Sequence, residues 1–242
     1  MTEPDPVLVA HADGVARVTF NRPDHANTIT YATMQAFIAG LEQAHTSGAT
    51  VLVVSGAGAD LTLGRDKGEH VAGVTRADNL RLILRANELL AGFPGISVTA
   101  VRGRAFGFGT GLALHSDISI AADTAILGFD ELAAGLPPLV VLTYLYRHVT
   151  PKAADDLVLT SRKVGATEAL RLGLVSRVVA EADLDTTVER TVAELAGRDA
   201  SALRLLKEFA GEAKSAEQRP AKEFGEYAVE RLVAWIERET QS

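Results

Sequence analysis

The sequence predicts an α/β core followed by a helical extension. Short β-branched runs alternate with amphipathic helical stripes as far as Val179, and only helical patterns follow. No internal repeat or low-complexity linker interrupts the chain. Its 242 residues, 47% of them apolar, suffice for a substantial buried core, expected over residues 1–180 with a helical region over 181–242.

Val7-Leu8-Val9-Ala10 and the run 15–20 flank Asp13-Gly14, a hairpin signal, and 21–27 is a polar loop. Met34, Phe37, Ile38 and Leu41 form one stripe and predict a helix from Tyr31 to about Thr46. Val51-Leu52-Val53-Val54 is wholly apolar, as in a strand buried on both faces. A glycine loop at 56–60 and the segment 61–66 lead to a helix expected over 79–91, with Leu80, Ile83, Leu84 and Leu90 inward. A strand over 96–101, a short buried helix at 112–115 and a strand over 117–121 come next. Beyond the stretch 126–138, helices are expected over 139–148, 152–159 and 167–172, with a brief strand within 173–179. Helices over 184–197, 202–211 and 221–238 complete the chain.

Composition excludes several classes of function. A net charge of −7 without a lysine or arginine cluster argues against a nucleic-acid partner, though not against a phosphorylated small molecule. No run approaches the roughly 18 apolar residues of a membrane span. With no cysteine there is no disulfide, thiol nucleophile or cysteine-bound metal, and no His/Asp/Glu cluster has metal-ligand spacing. Met1 to Pro6 is acidic and lacks the basic and apolar parts of a secretory leader, so a cytoplasmic protein is expected.

The run 100–114 is the chemically informative stretch. A strand leads into glycines at 103, 107, 109 and 111 and then a helix, leaving backbone amides without intrahelical partners. Such amides favour an anion, either a phosphate or a developing oxyanion. A dinucleotide turn with Asp123 on a ribose fits less well, because the glycines run G-x-G-x-G and the acid follows too closely. A purely structural glycine turn is the bland alternative.

Asn21-Arg22-Pro23, the strand 51–55 with Gly64-Arg65-Asp66, the run 101–114, Asp117-Ile118, the segment 128–132, Gly135 and the run 173–179 occur in one order and spacing. In that ordered set the chain resembles the crotonase superfamily, the enoyl-CoA hydratase/isomerase family, over nearly its whole length. No single motif is specific; the set carries the resemblance. It implies a spiral of ββα units and a C-terminal helical region that packs against neighbouring subunits, in a homotrimer or a dimer of trimers. It also implies an acyl-CoA thioester substrate and no cofactor, CoA being part of the substrate.

Carried over residue by residue, the two oxyanion-hole amides fall on Arg65 and on Phe108, the middle residue of Gly107-Phe108-Gly109. Two N–H groups aimed at a thioester oxygen stabilise the enolate formed when the α-carbon loses a proton. Phe108, where relatives carry glycine, keeps its amide and is expected to add a ring over the pocket. Leu63, Gly64, Phe106, Gly107, Gly109, Gly111, Phe129, Leu136 and Pro138 are expected around the substrate. The run 136–141 stands where relatives often have a further glycine-rich patch, so the acyl pocket is expected to be apolar and tight.

Hydratases of the family hold water between two glutamates. The first position falls on Gly111 and the second on Glu131. Glycine has no side chain to donate or accept, so the usual clamp cannot be built. One carboxylate remains, flanked by Phe129 and Leu132, where burial raises its pKa towards base strength. A single base beside an oxyanion hole suits a 1,3-proton shift, and the resemblance implies an enoyl-CoA isomerase using Glu131. Hydration or other lyase, hydrolase or decarboxylase chemistry stays open, as does a non-catalytic CoA-ester-binding scaffold. Asp130, its neighbour on what reads as an extended segment, is expected to face away. His115 reads as a satisfied core or interface histidine rather than a replacement for the missing glutamate. Arg22 and His25 lie in the loop that borders the CoA nucleotide in relatives and are candidate CoA contacts. Lys222 and Arg231 read as surface charge.

Overall fold

The computed structural model describes residues 4–215. Its strands are β1 (Val7–Ala12), β2 (Val15–Phe20), β3 (Val51–Gly56), β4 (Ile96–Val101), β5 (Arg104–Phe106), β6 (Ile118–Ala122), β7 (Ile126–Gly128), β8 (Lys163–Gly165) and β9 (Arg177–Val179). Its helices are α1 (Tyr31–Thr46), α2 (Arg76–Ala91), α3 (Phe108–His115), α4 (Leu139–Leu145), α5 (Pro151–Thr160), α6 (Ala166–Leu172), α7 (Leu184–Ala196) and α8 (Ala200–Ser215).

β1 and β2 form the expected hairpin, with Asp13 and Gly14 in the left-handed region at φ 50° and 74°. From β2 through β3, β4 and β6 to β9 every neighbour in the larger sheet is parallel. Burial on both faces explains the unbroken apolar runs: Val51, Leu52 and Val54 are inaccessible, and all six residues of β4 are buried. α1 packs on β1 and β2, and α7 packs on β3, β4 and β6. α8 is secured by Lys207, which pairs with Asp117; that carboxylate also accepts from the Ser97 amide and hydroxyl at 2.9 Å each.

A second sheet, β5-β7-β8, was not expected from the sequence, since strands of three residues show no periodicity. Isolated bridges, Thr62 to Ala105 and Ile29 to Arg65, extend it. The chain therefore repeats one course: a strand of the larger sheet, a short strand or bridge of the smaller one, then a helix. β3, the Thr62 segment and α2 make one turn; β4, β5 and α3 the next; β6, β7 and α4 the third. This is the spiral of ββα units that the resemblance implied.

Two expectations need correction. α3 starts at Phe108 rather than at Leu112, because Gly111 N–H already donates to Gly107 O at 3.1 Å. In α2 the inward face is Leu82, Ile83, Ala86, Leu89 and Leu90, whereas Leu80 and Leu84, one turn apart, lie off that face and are exposed. The last expected helix, with Lys222 and Arg231, lies outside the described residues. Among the described residues no helix is long and apolar enough to cross a membrane.

Candidate active site

Thr62, Ala105 and Leu127 lie side by side in the smaller sheet. The residues three or four positions further on, Arg65, Phe108 and Glu131, consequently emerge together at one edge. Three successive turns of the spiral thus supply one residue each. Gly64, at φ 83°, permits the closest approach: a Cβ there would lie 2.6 Å from Phe106 O and 3.6 Å from Phe108 N. Ile29 N–H donates to Gly64 O and Asp66 N–H donates to Ile29 O, each at 2.9 Å, which turns the Arg65 N–H away from Ile29. Phe108 is the first residue of α3, so its N–H has no intrahelical acceptor. Neither amide donates to an acceptor among the described residues. The Arg65 side chain holds this loop in place by donating to Thr30 O at 2.9 Å and to Asn79 Oδ1.

Glu131 adopts helical angles, φ −61° and ψ −45°, at the start of a tight turn over Leu132–Ala134, which its side chain does not cap. Its carboxyl group lies over Gly107, where a Cβ would come within 2.7 Å of Oε1. Oε2 is buried and has no hydrogen-bond partner. Burial pushes this carboxyl above the ordinary glutamate range; its own main-chain N–H opposes the rise, neighbouring Asp130 adds to it, and Lys67 and Lys163 oppose it. Asp130 does not face away as expected. The helical turn swings it onto the same cavity, where Oδ2 pairs with Lys67 Nζ at 2.8 Å and Oδ1 is buried without a partner.

The cavity beside these groups holds about 610 Å³, within the usual range for a small-molecule site. It is apolar on one side but not tight. Leu63, Gly64, Gly107, Leu136 and Pro138 line it as expected, joined by Leu80 and Ile83 of α2 and by Leu139, Val141 and Tyr144. Phe106, Gly109, Gly111 and Phe129 stand behind the lining. Phe129 is in the core, Gly109 faces Thr62, and the ring of Phe106 carries Lys163 Nζ at 4.3 Å. The Phe108 ring, only 5% exposed, packs edge-on against Phe37 in the core rather than standing over the pocket. Arg22 and His25 are also outside the lining; Arg22 Nη1 donates to Thr28 O at 2.6 Å, and His25 is exposed. Asp123 accepts from Glu181 N at 3.0 Å and is likewise not brought to the cavity.

Lys67 and Tyr144 are polar site residues that sequence reasoning missed, and Tyr144 is the more telling. Its hydroxyl covers Gly111, 2.9 Å from where a Cβ would be. The ring packs edge-on against His115 at 4.4 Å. His115 in turn donates from Nδ1 to Gly111 O at 2.8 Å, the tautomer that a carbonyl partner requires, and burial lowers its pKa to about 4. His115 is therefore neutral at physiological pH and supports Tyr144, as a satisfied histidine.

A family model described as Enoyl-CoA hydratase/isomerase matches residues 10–230. The chain belongs to the enoyl-CoA hydratase/isomerase family. It is 35% identical over 205 residues to the "Probable enoyl-CoA hydratase echA8" of Mycobacterium tuberculosis, covering 84% of this chain and 79% of that one. It is 30% identical over 182 residues to the bacillaene synthase dehydratase PksH of Bacillus subtilis, covering 74% and 70%. Among solved structures, a Thermobifida fusca YX protein assigned as an enoyl-CoA hydratase, in complex with CoA, superposes with a TM-score of 0.85 at 30% identity. That match covers 98% of this enoyl-CoA hydratase/isomerase family member and 95% of its relative.

Proposed function

We propose that this family member acts on acyl-CoA thioesters and shifts the double bond of an enoyl-CoA by one position, with Glu131 as its sole acid–base group. The observation that carries this reading is the buried, unpartnered Oε2 of Glu131 beside two unused amides, with glycine at position 111 and the neighbouring Asp130 tied to Lys67. The thioester oxygen accepts from the Arg65 and Phe108 N–H groups. Glu131 takes a proton from the α-carbon, and the electron pair delocalises onto the thioester oxygen as a dienolate. The same carboxyl then returns the proton two carbons along, leaving the double bond conjugated to the thioester. The apolar wall from Leu136 to Val141 suits the acyl chain. The CoA held by the Thermobifida relative supports the thioester as substrate, and no cofactor is required.

Hydration is the second reading, favoured by the hydratase names of relatives. A panel of 3-enoyl- and 2-enoyl-CoA esters, read for product, separates the two. Isomerised product is expected, with Glu131→Gln lowering turnover by roughly 10²–10⁴-fold at nearly unchanged ester affinity. Hydration outpacing isomerisation in the wild type would overturn the isomerase reading, and full turnover in Glu131→Gln would remove Glu131 from the chemistry. We further propose a homotrimer or dimer of trimers, with residues 181–242 at the subunit contacts; a monomer by light scattering would refute it.

A further inference from the structure

The Tyr144 hydroxyl is used neither by the fold nor by the proton shift just described. Tyr144 is 8% exposed and lines the cavity, yet no acceptor for its hydroxyl lies among the described residues. Burial and the facing Glu131 carboxyl hold it far above the range in which it would ionise, so it is a donor and not a base. The hydroxyl opens onto the cavity and, without a protein acceptor, is left to donate to water or to a ligand that enters there. The position of this donor is fixed by the edge-on contact with His115 and by the absence of a side chain at Gly111. Glu131 lies over Gly107 and Tyr144 over Gly111, so the two groups address points about one helical turn apart along α3. If the carboxyl addresses the α-carbon, the hydroxyl addresses atoms further along the acyl chain.

We propose that Tyr144 determines specificity by donating a hydrogen bond to an oxygen carried on the acyl chain beyond the α-carbon, so that the preferred substrates are oxygen-bearing acyl-CoA esters rather than plain hydrocarbon ones. This rests on the acyl-CoA reading above. A pocket that leaves its own polar group unpaired with the wrong ligand discriminates far more strongly than one that merely lacks a methylene contact.

Calorimetric titration with butyryl-CoA, 3-hydroxybutyryl-CoA and 4-hydroxybutyryl-CoA tests the proposal on the wild type and on Tyr144→Phe. At least one hydroxy ester is expected to bind the wild type about tenfold more tightly than butyryl-CoA. Tyr144→Phe is expected to erase that preference and leave butyryl-CoA affinity unchanged, which also shows that the variant is folded. Equal affinity of the wild type for all three esters would overturn the proposal and point to a water on the hydroxyl. A preference surviving in Tyr144→Phe would overturn it too, as would equal weakening of all three esters, the sign of a structural role. Failure of the wild type to bind any ester would instead defeat the acyl-CoA reading, and this proposal with it.

Discussion

The two walls of the cavity are made differently. Gly64-Arg65 and Gly107-Phe108 present main chain, fixed by the bridges that align Thr62, Ala105 and Leu127. The facing segment, from Asp130 to Tyr144, presents side chains: two carboxyl groups and a phenol, set among prolines and aliphatic residues. The first wall leaves only N–H groups unused, and among substitutions at Arg65 only proline removes one. The second leaves side-chain oxygens unpaired, and each can be changed by a single codon. On the proposed reading, polarisation of the thioester is built into the fold, whereas the fate of the acyl carbons rests on a few replaceable groups. One scaffold can host several acyl-CoA reactions for that reason.

Removing a donor from the first wall should have the largest effect. Phe108→Pro and Phe108→Ala both lose the ring that packs on Phe37, but only proline removes the amide N–H, and proline suits the first position of a helix. The proline variant should turn over roughly 10²–10³-fold more slowly than the alanine variant, at comparable melting temperature. Equal rates would mean that this amide is not a donor in the reaction. On the second wall, Gly111→Glu places a Cβ 2.9 Å from the Tyr144 hydroxyl, which must then move. Overpacking of this kind costs about 1–3 kcal/mol, or about 2–4 °C in Tm per kcal/mol for a chain of this size. Adding Tyr144→Ala should restore part of that loss, since contacting residues couple. Strictly additive melting shifts would show that the phenol does not occupy the space above Gly111.

The first wall was much the more legible in the sequence. Glycines at 64 and 107 announce main chain brought close, the family resemblance pointed to Arg65 and Phe108 beside them, and both residues line the cavity. Glu131 was legible as an acid among apolar neighbours. Tyr144 was not, because it sits in an apolar run that reads as core, and its meaning depends on a glycine distant in sequence. The orientation of Asp130 was misjudged because alternation of faces holds only for extended chain, and the backbone turns helical there. Strands β5 and β8 are too short to show a pattern, although the smaller sheet they form is what aligns the three site residues. In α2 the periodicity identified the helix but not which of its faces turns inward.

The smallest effect, and the one most particular to the second wall, is the pH dependence of Glu131. Its folded pKa is raised by burial, so its contribution to stability is present below the unfolded carboxylate pKa and is lost as pH rises through the folded value. At neutral pH the buried ionised carboxyl therefore weakens the fold. Glu131→Gln, inactive as a base, should melt a few degrees above the wild type at pH 7, and the gap should close as pH falls below the ordinary glutamate range, about 4.3. In the proposed reaction the same raised pKa sets the acidic limb of turnover, because the base must be ionised to accept the α-proton. Lys67 holds that pKa down, and it also neutralises Asp130 through the 2.8 Å pair. Lys67→Met removes a cation and leaves a second carboxylate uncompensated, and both changes disfavour the charged form of Glu131. The acidic limb of kcat in Lys67→Met should accordingly move to higher pH. A limb that stays in place would mean that the titrating group is not Glu131, and the side-chain wall would lose its claim to set the chemistry.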